Sequence, residues 1–295
     1  MPKYLRSLII AATAIVAVSM PARAQDDPRG EMETRSRQVI DESKKLFNEG
    51  NQHYKNRKYP QAVVAYQGSI DIKPEFPNAH FGLGMAYQKM RKFDQALASL
   101  DQALVLKVDY HKALLVRARV QMDKKNYSAA VIDYEAALAL KPQDPKTFFN
   151  LALANQRKGD KTAAIAAYEA AVALKPSYTK AHKNLGLLYE KQGDTAKAAR
   201  AFGNACRTSR SDASACAKRA EQLNQLGKFE QAEKAAQLAL DRKPGYAHAL
   251  VTLGEALEGQ RLFAAAVEQY RKAAGDPTWG PTATYKIEQI SRRDG

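Results

Sequence analysis

The sequence predicts an all-α fold, an α-solenoid of seven helix-turn-helix units with a C-terminal capping helix. Three observations predict it: a recurring Lys-Pro dipeptide, small residues at fixed positions of the same period, and an aromatic residue at a further position. The dipeptides begin at Lys73, Lys141, Lys175 and Lys243, so the intervals between them are twice, once and twice one common period. This period, about 34 residues, is typical of stacked helical repeats.

Seven units fit the period without insertion or deletion, at residues 43–76, 77–110, 111–144, 145–178, 179–212, 213–246 and 247–280. They are numbered here as units 1 to 7, with positions 1 to 34 inside each. Position 20 is alanine in all seven units, position 8 is glycine or alanine, and position 24 is aromatic in five. Small side chains are needed where two helices approach closely, because a larger group would overpack the contact.

Each unit is predicted to contain two helices. The first covers about fourteen positions and ends in a turn such as Lys158-Gly159-Asp160, where glycine can adopt a left-handed conformation. The second runs to the Lys-Pro dipeptide. Lysine suits the negative end of a helix, and the following proline stops it.

These shared positions resemble the tetratricopeptide repeat family over nearly the whole chain from Thr34 onwards. The resemblance implies a right-handed α-solenoid over residues 34–293, with the first helix of each unit lining a concave groove. It also implies a non-enzymatic role in protein binding.

The ends of the solenoid are predicted from short segments. Residues 281–293 resemble one further first-type helix, which would cap the last apolar face. Residues 34–42 are expected to extend the first helix backwards, and residues 25–33 are expected to form a flexible linker.

The N-terminus predicts export. Basic residues, an apolar stretch and the small residues Ala22 and Ala24 are typical of a signal peptide over 1–24, cleaved after Ala24. An uncleaved membrane anchor is the alternative, although the apolar stretch is shorter than the ~20 residues that span a bilayer. The segment has three basic and no acidic residues, so cleavage lowers the net charge from +15 to +12. We expect a basic periplasmic or secreted protein.

The candidate site follows from the resemblance, since positions 2, 5, 9, 12 and 13 of the first helices usually face the ligand in that family. Here units 1 to 5 supply basic and apolar residues at these positions, whereas units 6 and 7 supply Glu221, Glu255 and Glu258. The predicted peptide-binding groove is Lys44, Phe47, Asn51, Tyr54, Phe81, Met85, Lys112, Arg119, Lys146, Phe149, Lys180 and Lys183.

This composition favours a protein or peptide partner with acidic character, held by lysines and by Phe47, Phe81 and Phe149 as apolar anchors. The lysines can also be read as ordinary solvated charges. Two alternative functions stay open: binding of an anionic envelope polymer or membrane surface, and a subunit role in a larger enzyme complex. The residue pattern by which some members of the family clamp a terminal carboxylate is missing here.

The sequence contains no catalytic or metal-binding motif, and the repeats occupy almost all of the chain after the signal peptide. We therefore expect neither an enzyme nor a cofactor or metal, and no nucleic acid is expected as a partner outside the cytoplasm.

The chain has two cysteines, which lie close together in sequence. Cys206 is position 28 of unit 5 and Cys216 is position 4 of unit 6, on two helices that face each other across an inter-unit turn. Export favours a disulfide here, with two free buried thiols as the alternative.

Overall fold

The computed structural model describes residues 28–292, which are all-helical, with 15 helices and no strand. The signal peptide predicted over 1–24 lies outside this range. The helices are α1 (Pro28–Lys55), α2 (Tyr59–Ile72), α3 (Pro77–Lys89), α4 (Phe93–Leu106), α5 (His111–Asp123), α6 (Tyr127–Leu140), α7 (Pro145–Lys158), α8 (Lys161–Leu174), α9 (Thr179–Gln192), α10 (Thr195–Thr208), α11 (Ala213–Gln225), α12 (Phe229–Arg242), α13 (Ala247–Gly259), α14 (Phe263–Ala273) and α15 (Gly280–Ser291).

The helices pair into the seven predicted units, α1 with α2 through to α13 with α14, and α15 follows as the single capping helix. Each helix packs against its neighbours in sequence. The clear contacts between alternate helices join first helices, as in α1 with α3 and α11 with α13. Because first helices of adjacent units approach each other more closely than second helices do, they line the concave surface and the second helices line the convex one.

The small residues of the repeat lie at helix–helix contacts. All seven position-20 alanines are fully buried, from Ala62 to Ala266. A Cβ atom added to Gly50 would lie 2.6 Å from the ring of Tyr66, and one added to Gly254 would lie 2.5 Å from the ring of Tyr270. In units 1 and 7, therefore, glycine at position 8 leaves room for the position-24 ring to lie directly against the first helix.

The turn inside each unit has one conformation throughout. Position 15 has a positive φ in all seven units, with glycine in three and arginine or lysine in four: Arg57, Arg91, Lys125, Gly159, Gly193, Gly227 and Arg261. The tight turn is thus set by the packing of the two helices, which holds even a non-glycine residue in the left-handed region at a cost of ~1–2 kcal/mol.

The segment expected to be a linker over 25–33 is helical from Pro28 onwards, because α1 begins at that residue. Proline is well suited to the first position of a helix, and no further proline interrupts α1 after Pro28. Within residues 28–292, no helix is both long and apolar enough to cross a membrane.

Cys206 on α10 and Cys216 on α11 form a disulfide, and both residues are buried. The bond joins unit 5 to unit 6 across the turn that lacks the usual proline. Arg242 on α12 donates from Nη1 to Cys216 Sγ over 2.7 Å and to the carbonyl of Asp212 over 3.2 Å. One disulfide and one arginine therefore hold three consecutive helices together.

Candidate functional site

All twelve predicted groove residues lie on the first helices α1, α3, α5, α7 and α9, which line the concave surface. Five of them are exposed cations, Lys44, Lys112, Arg119, Lys146 and Lys180, and the other seven are half-buried. Lys44 is 3.9 Å from Asp41 one turn earlier. The remaining four cations form no ion pair within the described part of the chain. We call Lys112, Arg119, Lys146 and Lys180 the basic stripe.

The phenylalanines at position 5 contact aromatic residues at position 34 of their own unit. The ring centroids of Phe47 and Phe76, of Phe81 and Tyr110, and of Phe149 and Tyr178 are each 5.0 Å apart. This is a favourable distance for an aromatic pair. Each of the three phenylalanines is therefore half of a ring pair, and the pairs form fixed apolar ledges beside the groove. Their role as apolar anchors stays a prediction.

A lysine at position 31 covers the position-34 ring in four units. The distances from Nζ to the ring centroid are 5.9 Å for Lys73 on Phe76, 5.4 Å for Lys107 on Tyr110, 5.3 Å for Lys175 on Tyr178 and 4.8 Å for Lys243 on Tyr246. These are cation–π distances. In three of these units, those of Lys73, Lys175 and Lys243, the lysine of the Lys-Pro dipeptide thus contacts the ring in addition to occupying a helix C-terminus.

Unit 5 replaces the ring pair by an ion pair. Lys183 at position 5 donates from Nζ to Asp212 at position 34 over 2.8 Å and to Ser214 Oγ over 3.1 Å. Burial alone would raise the pKa of the Asp212 carboxyl, but hydrogen bonds from Lys183 and Ser214 lower it overall. The charge of Lys183 is therefore balanced inside the protein, and its role in the groove stays a prediction.

The N-terminal end of the groove is organised by tyrosines. Tyr66 donates from its hydroxyl to Asn51 Oδ1 over 2.8 Å, so the amide of Asn51 is held in place. Burial raises the pKa of Tyr54, and the nearby charge of Arg119 opposes that rise. Met85 packs against the apolar cluster around Leu100.

The acidic end of the surface is largely neutralised by residues that the sequence reasoning did not identify. Lys218 donates to Glu190 over 2.9 Å and lies 3.0 Å from Glu221, while Lys286 donates to Glu258 over 3.1 Å. Both lysines are at position 6 of the following unit or cap, 28 residues after Glu190 and Glu258. That shared separation is the signal in the sequence that identifies these pairs.

Glu221, Glu255 and Glu258 line a cavity of about 590 Å³ at this end. Burial alone would raise the pKa of Glu221, but hydrogen bonds with His248 and Lys218 lower it overall. Glu255 has only a 3.4 Å contact from Asn224 Nδ2, and burial raises its pKa despite the charge of Lys286. The cavity therefore contains one carboxylate that is poorly compensated.

We expect Glu255→Gln to raise the free energy of unfolding at pH 7. The folded state binds the proton of Glu255 more tightly than the unfolded chain, so the ionised group destabilises the fold above its raised pKa. This destabilisation decreases as the pH falls towards 4.5, the ordinary pKa of a glutamate. Below that pH the variant and wild type should be equally stable. Urea unfolding between pH 4 and pH 8 measures the effect. Glu135→Gln, on an exposed part of α6, is the matched control, and lower stability of Glu255→Gln at pH 7 would contradict the expectation.

A concave surface of stacked first helices, with fixed ring ledges and uncompensated cations, defines a helical-repeat binding scaffold. The chain belongs to the tetratricopeptide repeat family: the family model described as "Tetratricopeptide repeat" matches residues 81–145, 149–214 and 218–279. A second model, described as "TPR repeat", matches residues 50–90.

Solved structures share the fold. A MamA fragment from Desulfovibrio magneticus RS-1 is 23% identical, covers 58% of this chain and 97% of its own, and has a TM-score of 0.55. YrrB, described as a TPR protein with an unusual peptide-binding site, is 21% identical with coverages of 64% and 97% and a TM-score of 0.54. PilF from Pseudomonas aeruginosa is 16% identical with coverages of 72% and 96% and a TM-score of 0.55. A comparison with curated proteins finds no match.

Proposed function

We propose that the protein is an exported, non-enzymatic scaffold that captures a peptide segment or partner helix with acidic side chains on its concave surface. The fold is that of a protein–protein interaction scaffold, and YrrB offers a precedent for peptide binding on it. The proposal adds the location of the contact, the charge of the partner and the compartment.

The basic stripe is the observation that carries the proposal. Its four side chains are exposed on three consecutive first helices, α5, α7 and α9. Cations without internal partners raise the rate of encounter with an acidic segment, and lysine and arginine form charge-assisted hydrogen bonds with carboxylates. The ring ledges of Phe81 with Tyr110 and of Phe149 with Tyr178 flank the stripe and supply apolar contact area.

Export is supported by the signal peptide predicted over 1–24 and by the buried disulfide, since disulfides persist mainly in oxidising compartments. Expression of the full chain in a Gram-negative host tests this part of the proposal. The periplasmic fraction should contain a protein whose N-terminus is Gln25, as read by N-terminal sequencing. An intact N-terminus retained in the membrane fraction would support the anchor alternative.

The groove is tested by Lys146→Glu combined with Lys180→Glu, assayed by fluorescence anisotropy with an aspartate- and glutamate-rich peptide. We expect binding about tenfold weaker than wild type and a shallower dependence on salt, because two steering charges are reversed. Lys158→Glu with Lys161→Glu is the matched control. It makes the same change in net charge at two exposed residues, the last of α7 and the first of α8, on either side of a turn, and should bind as wild type. If both double variants lose the same affinity for the peptide, net charge alone explains the result and the proposal is contradicted.

Phe81→Ala distinguishes a peptide from an anionic polymer, because it removes half of a ring ledge and leaves the charge unchanged. Peptide binding should weaken severalfold, whereas heparin, used as a generic anionic polymer, should bind Phe81→Ala and wild type alike. Circular dichroism confirms that the variant is folded. If the peptide binds Phe81→Ala unchanged while heparin binding requires the basic stripe, the polymer alternative is favoured.

A further inference from the structure

Five arginines surround a pocket of about 580 Å³ on the convex side, where unit 5 meets unit 6. They are Arg200, Arg207, Arg210, Arg219 and Arg242, and the other lining residues are Ala199, Gly203, Asn204, Cys206 and Leu238. We call this the arginine pocket. It lies on α10, α11, α12 and the loop before α11, on the opposite side of the solenoid from the basic stripe.

The positive charge of the pocket is not neutralised by a direct ion pair. No carboxylate lines it, and none of the five guanidinium groups forms an ion pair with a carboxylate within residues 28–292. Arg200 influences Asp194 only at longer range, as one of several groups that lower the pKa of this exposed carboxyl. Like charges repel at short distance, so clustered guanidinium groups favour the binding of an anion between them.

Two of the arginines are held in place by neutral acceptors. Arg207 donates from Nη2 to Asn204 Oδ1 over 2.8 Å. Arg242 donates from Nη1 to the disulfide and to the carbonyl of Asp212. These bonds orient the side chains and leave their charge uncompensated, so part of the pocket is organised before any ligand arrives.

An equivalent arginine elsewhere in the chain shows what is missing here. Arg117 occupies position 7 of unit 3, as Arg219 does in unit 6, and it is bound by Asp101 and Asp133. The positions of these two aspartates correspond to Gly203 and Ala235 around Arg219. A Cβ atom added to Gly203 would lie 3.2 Å from Arg219 Nε. The chain therefore places two carboxylates beside Arg117 and none at the equivalent positions beside Arg219.

We propose that the arginine pocket binds a phosphate-bearing anion. Guanidinium groups present forked donors that match the oxygens of phosphate, and several of them around one cavity suit a ligand with more than one ionised oxygen. The cavity volume is within the range of small-molecule sites. This site is separate from the proposed peptide groove, so the proposal for one site can be wrong while the proposal for the other holds.

The sharpest test is Gly203→Asp, which rebuilds one of the two carboxylates that bind Arg117, the equivalent of Asp101. An aspartate is a better helix former than glycine, and its only close neighbour is the movable end of Arg219, so the variant should fold at least as stably as wild type. We expect its affinity for tripolyphosphate, measured by isothermal titration calorimetry at low salt, to be at least about tenfold weaker. Gln67→Asp makes the same charge change at position 25 of unit 1 and should bind as wild type.

Arg210→Ala is a second variant that does not depend on helix packing, because Arg210 is an exposed loop residue. It should also weaken tripolyphosphate binding. Sedimentation with vesicles of phosphatidylglycerol in phosphatidylcholine distinguishes a lipid headgroup from a free phosphate compound. Weaker binding by Gly203→Asp in either assay supports the site. The assay in which binding weakens identifies whether the ligand is a free phosphate compound or a lipid headgroup. Absence of binding to both probes by wild type, or equal weakening by Gly203→Asp and Gln67→Asp, would overturn the proposal.

Discussion

Arg117→Leu should lower the free energy of unfolding by about 3–5 kcal/mol, since removing one partner of a buried ion pair leaves a buried charge uncompensated. The charge left behind is Asp133, whose side chain is only 5% exposed. Arg117 donates from Nε and Nη2 to this carboxylate, over 3.0 Å to Oδ2 and 2.6 Å to Oδ1. Its bond to Asp101 contributes little, because that side chain is 57% exposed.

Two matched variants separate the ion pair from general packing. Arg219→Leu makes the same change at the same position of unit 6, where no carboxylate is left behind, and should alter stability by no more than about 0.5 kcal/mol. Arg117→Leu with Asp133→Ala installs the combination that units 4 and 5 use, Leu151 with Ala167 and Leu185 with Ala201. This double variant should recover most of the lost stability.

Urea unfolding gives the size of the effect, and hydrogen exchange of the amides in α5 and α6 gives its location. The local measurement is needed because long repeat arrays do not always unfold in one step. A cost below about 1 kcal/mol for Arg117→Leu would show that the unpaired carboxylate reaches water and that the pair is not a buried one.

The repeat period predicts most of the fold, because it places the small residues at positions 8 and 20 and assigns each helix a face. The fully buried Ala62 and Ala266, at opposite ends of the chain, follow from the same register. The helical start at Pro28 does not follow from it, since that segment precedes the first unit and has no counterpart in the other repeats.

The candidate site is predicted less completely, because a repeat register tells which face a residue is on but not which partner it finds. Phe81 and Lys183 share position 5, yet one stacks on a ring and the other pairs with an aspartate. The contact that position 5 makes depends on the residue at position 34, at the far end of the same unit. Likewise Arg117 and Arg219 share position 7, and they differ in the residues placed beside them at position 23 of their own unit and position 25 of the preceding one.

The disulfide illustrates the same dependence on context. Its two positions, 28 of one unit and 4 of the next, contain apolar pairs at several other boundaries, such as Leu138 with Phe148 and Leu240 with Leu250, each within one apolar cluster. The cysteines thus substitute a covalent bond for an ordinary apolar contact. They do so at the inter-unit turn where Arg210 replaces the usual proline.

Cys206→Ala with Cys216→Ala should lower the free energy of unfolding by about 2–3 kcal/mol, which is the loop-closure entropy expected for so short a loop. The loss should appear first at the boundary of unit 5 and unit 6, where Arg242 also loses its sulfur acceptors. Hydrogen exchange of α10 and α11 measures it, alongside urea unfolding. Wild type in dithiothreitol should lose a similar amount, whereas the double variant should not respond to the reductant.

Cys206→Leu with Cys216→Leu separates the covalent bond from packing, because it installs the side chains found at Leu240 and Leu250. If loop closure provides the stability, this variant should remain well below wild type and close to reduced protein. Full recovery to the stability of oxidised wild type would show instead that an apolar contact is all that this boundary requires. In either case tripolyphosphate binding should weaken in the leucine variant, because Arg242 lines the arginine pocket and is oriented by the two sulfur atoms.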